Sequence, residues 1–259
     1  MNIPVYQIDA FTNKIFTGNP AAVCPLDEWL EDSLLLSIAQ ENNLSETAFF
    51  VQKQGLFHIR WFTPLKEVDL CGHATLAAAY VIFHEIGHKE NTILFHSKSG
   101  ELSIKQNKDI FTLNFPSQPP TPCTPPDTLL EGLGVKPQAV LAANDYMAVY
   151  QNETEILDLQ PDMEKLKNIA LRGVIVTARG KSTDFVCRFF APKLGINEDP
   201  VTGSAYCALA PYWAFQLKKQ HLHSLQLSKR GGEISCSING ERTFISGKAV
   251  KFMKGNIFL

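Results

Sequence analysis

The chain has 259 residues, 45% of them hydrophobic, enough to bury a substantial core in one large domain or two small ones. With 24 basic residues against 26 acidic, and no Lys/Arg run or interleaving of basic with aromatic side chains, nucleic acid is not an expected partner. Met1-Asn2-Ile3-Pro4-Val5-Tyr6 lacks the basic and apolar regions of a signal peptide, and the longest apolar run, Ala74 to Phe83, is about half of the roughly 20 residues a membrane span needs. Six scattered cysteines without a CxxC pair read as reduced thiols, so the expectation is a cytoplasmic protein with no membrane partner.

Val5 to Phe11 alternates as a strand, and the turn Thr17-Gly18-Asn19-Pro20 leads to a hairpin partner at Ala21-Ala22-Val23. Leu34 to Asn42 has helical spacing, with Ser33 as its candidate cap. Strands follow at Leu44 to Val51 and Phe57 to Phe62, the latter ending at Thr63-Pro64. Ala74 to Glu85 is apolar on every side, the mark of a buried helix around which a sheet can curl, and Gly87 suits its left-handed stop. Three more strands are expected at Ile93–Phe95, Glu101–Lys105 and Ile110–Phe115.

Six prolines between Pro116 and Pro126 then break any helix or central strand, which divides the chain into domains 1–115 and 116–259, with 116–126 as linker. The second half repeats the first in outline. Arg60-Trp61-Phe62-Thr63-Pro64 returns 128 residues on as Arg188-Phe189-Phe190-Ala191-Pro192, and Gly72-His73-Ala74 returns 131 residues on as Gly203-Ser204-Ala205. Ala205 to Phe215 is the matching apolar helix, with a kink expected at Pro211.

Asp69-Leu70-Cys71-Gly72-His73-Ala74-Thr75 and Glu198-Asp199-Pro200-Val201-Thr202-Gly203-Ser204-Ala205 therefore each deliver a glycine-led helix start. The N–H groups of such a start lack intrahelical partners and suit a carboxylate or phosphate. Taken singly, the polar residues have ordinary readings as well. Glu46 can be a solvated turn acid, His73 a side chain bonded to loop backbone, Asp199 an Asx turn before Pro200, Ser204 a helix cap, and Asn19 part of a Gly-Asn-Pro turn.

These stretches, with Asp9-Ala10-Phe11, Gly18 to Val23 and Leu44-Ser45-Glu46-Thr47-Ala48-Phe49, resemble the phenazine-biosynthesis PhzF family in order over nearly the whole chain. The resemblance implies an α+β protein with the diaminopimelate epimerase fold, two similar domains that each wrap a curled sheet around a central buried helix, with the active site between them. It further implies an isomerase without cofactor or metal, acting by proton transfer on a small amino or hydroxy carboxylate, and a homodimer. Glu46 is then the base, His73 a proton relay or orienting group, and Asp199 the holder of a substrate amine or hydroxyl. Gly72, Gly203, Ser204 and Asn19 complete the substrate-binding set. The apolar residues Leu44, Ala48, Phe49 and Phe50 are expected to desolvate Glu46, and the helix N-terminus to keep His73 neutral.

Two thiols are the working pair of epimerases with this fold, but Thr202 stands where the second cysteine would be, so Cys71 reads as a small buried residue. His84-Glu85-Ile86-Gly87-His88 spells a zinc motif, which makes a metallohydrolase the alternative enzyme; Gly87 interrupts it, and Asn91 and Leu94 occupy the continuation. A non-catalytic binding or scaffold protein is the third alternative. No dinucleotide or P-loop motif is present.

Overall fold

The computed structural model describes all 259 residues. They fold as two compact units, residues 1–114 with 246–259, and residues 115–245. In the first, β1 (Asn2–Ala10) and β2 (Asn19–Leu26) form an antiparallel hairpin, and α1 (Asp32–Asn42) crosses over to β3 (Glu46–Lys53), which lies parallel to β2. β4 (Leu56–Phe62) returns along β3, and the short β5 (Glu67–Val68) leads into α2 (Gly72–Val81). β6 (Thr92–Ser97) runs parallel to β4 and continues through β7 (Gly100–Asn107) into β8 (Ile110–Pro116).

The second unit opens with β9 (Thr121–Pro122), α3 (Asp127–Leu133), β10 (Ala139–Ala142) and β11 (Tyr146–Val149). It continues through α4 (Glu153–Asp158), α5 (Met163–Leu166), β12 (Val174–Arg179) and β13 (Phe185–Phe190). A 3-10 turn, Gly203–Ala205, enters α6 (Tyr206–Leu217), which is followed by β14 (His221–Gln226), β15 (Gly232–Asn239) and β16 (Arg242–Gly247).

The duplication is written in the strand pairings. In the first unit the successive pairs β1/β2, β2/β3, β3/β4, β4/β6 and β6/β7 alternate antiparallel and parallel. In the second, β10/β11, β11/β12, β12/β13, β13/β14 and β14/β15 alternate in the same order.

Each sheet lies between a central helix and outer helices. Every residue of α2 except Tyr80 is buried, and the helix packs against β1, β2 and β3. Its all-round apolar surface leaves no side to face water, so burial on every side is its stable environment. On the other face of that sheet, Leu35, Ile38 and Ala39 of α1 meet Phe49 and Phe62. In the second unit α6 is the central helix. Its Trp213 stacks on Phe185 with ring centroids 5.6 Å apart and donates Nε1–H to Thr177 Oγ1 at 2.9 Å. Leu129, Ile156 and Leu166 of α3 to α5 cover the opposite face through Val174, Val176 and Phe190.

Four local expectations change. α1 begins at Asp32 with Glu31 in the capping position, so Ser33 lies inside the helix. α2 gives way after Val81 to a π turn, Ile82–Ile86, before Gly87 stops it at φ 82°. α6 begins at Tyr206 and extends two residues past Phe215, to Leu217, with Pro211 inside it. The last strand, β17 (Ala249–Phe258), lies with the first unit although it follows the second in sequence, because β1 supplies its antiparallel complement from Asn2 opposite Phe258 to Ala10 opposite Ala249. No helix is long and apolar enough to cross a membrane.

The repeated arginine explains how each central helix is aimed. Arg60 grips Glu67 with two 2.8 Å bonds and lies over the Phe62 ring, while Arg188 grips Glu198 at 2.8 and 3.1 Å and lies over Phe190. Glu67 and Glu198 each stand five positions before the glycine that starts the helix. A two-pronged guanidinium-carboxylate bond fixes orientation as well as distance, so each clasp ties a rigid strand to the loop that presents a helix start.

Candidate active site

Three element starts meet in the first unit. Gly18, at φ +69°, leaves no room for a Cβ, which would lie 2.3 Å from the Ala10 carbonyl oxygen, and the turn it permits puts Asn19 at the first position of β2. The parallel register sets Glu46, first residue of β3, opposite Ala21. His73 is the second residue of α2. Its Nε2 lies 3.2 Å from Glu46 Oε2, and its Nδ1 lies 3.2 Å from the Asn19 amide nitrogen and 3.5 Å from Cys71 Sγ. With Asn19 Nδ2–H donating to Nδ1, the single proton of a neutral imidazole is assigned to Nε2, facing the carboxylate.

His73 is 4% exposed, and burial pulls its pKa from 6.5 down to about 3. The ring is thus neutral, as expected, and loss of solvent is the cause. Because the folded pKa lies below the unfolded one, the unfolded chain binds the extra proton as pH falls. His73 therefore contributes stability that is complete above pH 6.5 and is lost as pH falls toward 3. The expected result is that the His73 ring carbons do not titrate by NMR between about pH 5 and pH 8, whereas an ordinary histidine does.

The strand alternation divides the expected neighbours of Glu46. Phe49 points to the α1 side and packs on Phe62, so it cannot desolvate Glu46; Ala48 and Phe50 share the face of Glu46. The Glu46 side chain is 13% exposed. Cys71, read from sequence as a small buried residue, is buried, yet its thiol belongs to the cluster, since donor atoms of Glu46, Cys71 and His73 lie within 4.8 Å of one another. Glu46 and Cys71 lie against opposite nitrogens of one ring. The three side chains of the zinc-like motif are dispersed: His84 meets Gln106, Glu85 pairs with Lys251 and Lys254, and His88 reaches the Thr92 carbonyl.

In the second unit, Asp199 is 8% exposed, and its N–H donates to the Phe189 carbonyl at 3.0 Å. Thr202 Oγ1–H donates to Asp199 Oδ2. Buried Gln226 closes the loop: its Oε1 accepts from Thr202 N–H at 2.8 Å and its Nε2 donates to the Asp199 carbonyl at 2.8 Å. Replacing Gln226 by Ala leaves a buried N–H and C=O unpaired; the expected result is a loss of about 2–4 kcal/mol of stability in urea unfolding. Ser204, at the start of the 3-10 turn with Gly203, accepts at Oγ from Arg172 Nη2 at 3.1 Å. Gly72 and Gly203 each open a helix start, as expected.

The structure thus gathers Asn19, Glu46, His73 and Gly72 at one corner of the first unit, and Asp199, Gly203 and Ser204 at one corner of the second. Sequence reasoning missed Gln226, which carries no motif, and Arg172. The repeat contained a signal for Arg172, because the offset that matches Arg60 to Arg188 matches Glu46 to Val174, two residues beyond it. Cys207 lies along α6, where burial pushes its thiol up to about 12. The hollow of about 600 Å³ lined by Met1, Ile3, Pro25, Leu26 and Phe50 contains none of these groups.

A duplicated sheet wrapped on a central helix, with polar groups collected at each helix start, defines the diaminopimelate epimerase-like class. A hydroxyproline epimerase from Agrobacterium vitis shares this fold at 9% identity, with a TM-score of 0.64 over 99% of this chain and 92% of that one. Residues 8–255 match the profile of phenazine biosynthesis-like proteins, and the chain belongs to the PhzF family. A PhzF-family crystal structure from Enterococcus faecalis is 43% identical, with a TM-score of 0.97 over 100% of both chains. An uncharacterized isomerase of Pseudomonas aeruginosa is 50% identical over 259 residues, 100% of both chains. The class these relatives define is an isomerase of the PhzF type.

Proposed function

We propose that the protein is a cofactor- and metal-independent isomerase that moves a proton on a small amino or hydroxy carboxylate. The observation that carries this reading is the buried contact of Glu46 with a neutral imidazole, 3.2 Å between Oε2 and Nε2. Glu46 as carboxylate takes a proton from carbon; the electron pair delocalises toward the substrate carboxylate; Glu46 as acid returns the proton to a second carbon. Nothing is gained or lost overall, so no redox partner enters. His73 Nε2 stands 3.2 Å from Glu46 Oε2, and Asn19 keeps the ring in the tautomer whose proton faces that carboxylate. In the first unit the N–H group at Gly72 suits the negative charge that gathers on a carboxylate; in the second, the N–H groups at Gly203-Ser204 suit an anion and Asp199 an amine or hydroxyl.

The test is incorporation of solvent deuterium, followed by proton NMR, into a panel of cyclic and acyclic amino and hydroxy carboxylates, with zinc content measured on the same sample. Exchange by zinc-free protein supports the reading. Exchange that tracks zinc, or none in any compound, overturns it.

A further inference from the structure

The corner formed by Asn19, Glu46 and His73 has a counterpart of different chemistry in the second unit. β11 pairs in parallel with β12, Tyr146 opposite Val174, as β2 pairs with β3, Ala21 opposite Glu46. Just before these two positions stand Asp145 and Arg172, and the residue matching His73 is Ser204. The three are joined as well, but through Arg172, whereas the contacts of the first unit run through His73. Arg172 donates Nε–H to Asp145 Oδ1 at 2.9 Å, and Nη2–H groups to Asp145 Oδ2 at 2.6 Å and Ser204 Oγ at 3.1 Å. Where one copy holds a carboxylate against an imidazole, the other holds a guanidinium against a hydroxyl.

The local backbone shows why the arginine lies there. Tyr146 N–H donates to the Gly173 carbonyl at 3.0 Å, tying the two chain segments together. A Cβ at Gly173 would lie 2.7 Å from the Phe190 carbonyl oxygen and 2.8 Å from the Phe189 ring, so only glycine lets the chain pass so closely. Arg172 then lies over Phe189, 5.5 Å from its centroid. Burial opposes its charge, but the bonds and charge of Asp145, with Asp199 beyond, outweigh that and hold the guanidinium protonated.

Hydrogen-bond direction gives the arrangement its use. A guanidinium can only donate, so Ser204 Oγ spends a lone pair on Arg172 and its one hydrogen is left to point elsewhere. Asp145 and Ser204 occupy the Nε and Nη2 hydrogens; the two on Nη1 have no protein partner, and the side chain is 37% exposed. We propose that Arg172 is the residue that orients the substrate carboxylate: it turns the Ser204 hydroxyl into a donor and presents Nη1–H groups to the same anion. Asp145, 5% exposed, holds the guanidinium plane. This rests on the isomerase reading only for the substrate's being a carboxylate.

The experiment uses fluorescent 2-aminobenzoate and its uncharged analogue 2-aminobenzamide as probes, titrated into wild type, Arg172→Ala, Arg172→Lys, Ser204→Ala and the double alanine variant. Wild type is expected to prefer the carboxylate. Arg172→Ala is expected to weaken it about 10- to 100-fold while leaving the amide unchanged. Arg172→Lys does not restore binding, since an ammonium cannot grip Asp145 in two places and still reach Ser204. The double variant loses less than the product of the single losses. Equal loss of both probes, rescue by Lys, or a wild type indifferent to charge overturns the assignment. If Arg172→Ala does not fold, Ser204→Ala with the same probe pair decides. Deuterium exchange is measured alongside on wild type: exchange in none of the carboxylates removes the isomerase reading, while the probe pair still decides the Arg172 assignment.

Discussion

Glu46→Gln is expected to lower solvent-deuterium exchange by about 10³-fold or more, near the upper end of what a positioned acid-base group contributes. Glutamine keeps the size of the side chain and can still meet His73 Nε2, 3.2 Å from the native oxygen, but it cannot accept a proton from carbon. Its folded structure and melting temperature should stay close to wild type, which separates loss of chemistry from loss of fold. Glu46→Asp sharpens the point. It keeps the carboxylate but withdraws it by one methylene, and displacement of about 1 Å can cost about 10²-fold. Exchange undiminished in Glu46→Gln would mean that another group carries the proton.

Arg188→Ala is expected to have the largest effect on stability, about 3–5 kcal/mol, the cost of leaving a paired group buried without its partner. Besides gripping Glu198, Arg188 donates Nη1–H groups to the carbonyls of Ile156 at 3.0 Å and Leu159 at 2.9 Å. The side chains of Arg188 and Glu198 are only 12% and 24% exposed. Its removal therefore unties the strand, the α4 end and the Glu198-Asp199 loop at once, and Asp199 should lose its position with them. The equivalent Arg60→Ala should cost less, because Arg60 makes no such carbonyl bonds and its second acid, Asp32, is 74% exposed. Melting curves distinguish the two, with a fall of roughly 10 °C or more expected for Arg188→Ala. Equal falls would show that the carbonyl bonds contribute little.

These two residues also mark how much the sequence discloses. The buried helix at Gly72–Val81 was legible because a segment with no polar stripe has only one stable environment, and the alternation of Leu56–Phe62 was legible because successive side chains point to opposite faces, one buried and one only partly so. The internal duplication was legible through short strings, Arg-aromatic-Phe followed by Gly and an apolar helix, since clasp and helix start are each local. Glu46, His73, Asp199 and Ser204 could be nominated on the same ground, being attached to those strings.

What those residues touch was decided only in three dimensions. Asn19 and His73 are 54 positions apart, and Gln226 lies 27 beyond Asp199, so no local pattern couples them; strand register and helix placement do. Register likewise carried Ala249–Phe258 back along β1. Protonation follows the same division: a histidine's identity is written in the chain, but its neutrality comes from being sealed off from water, which is a property of packing.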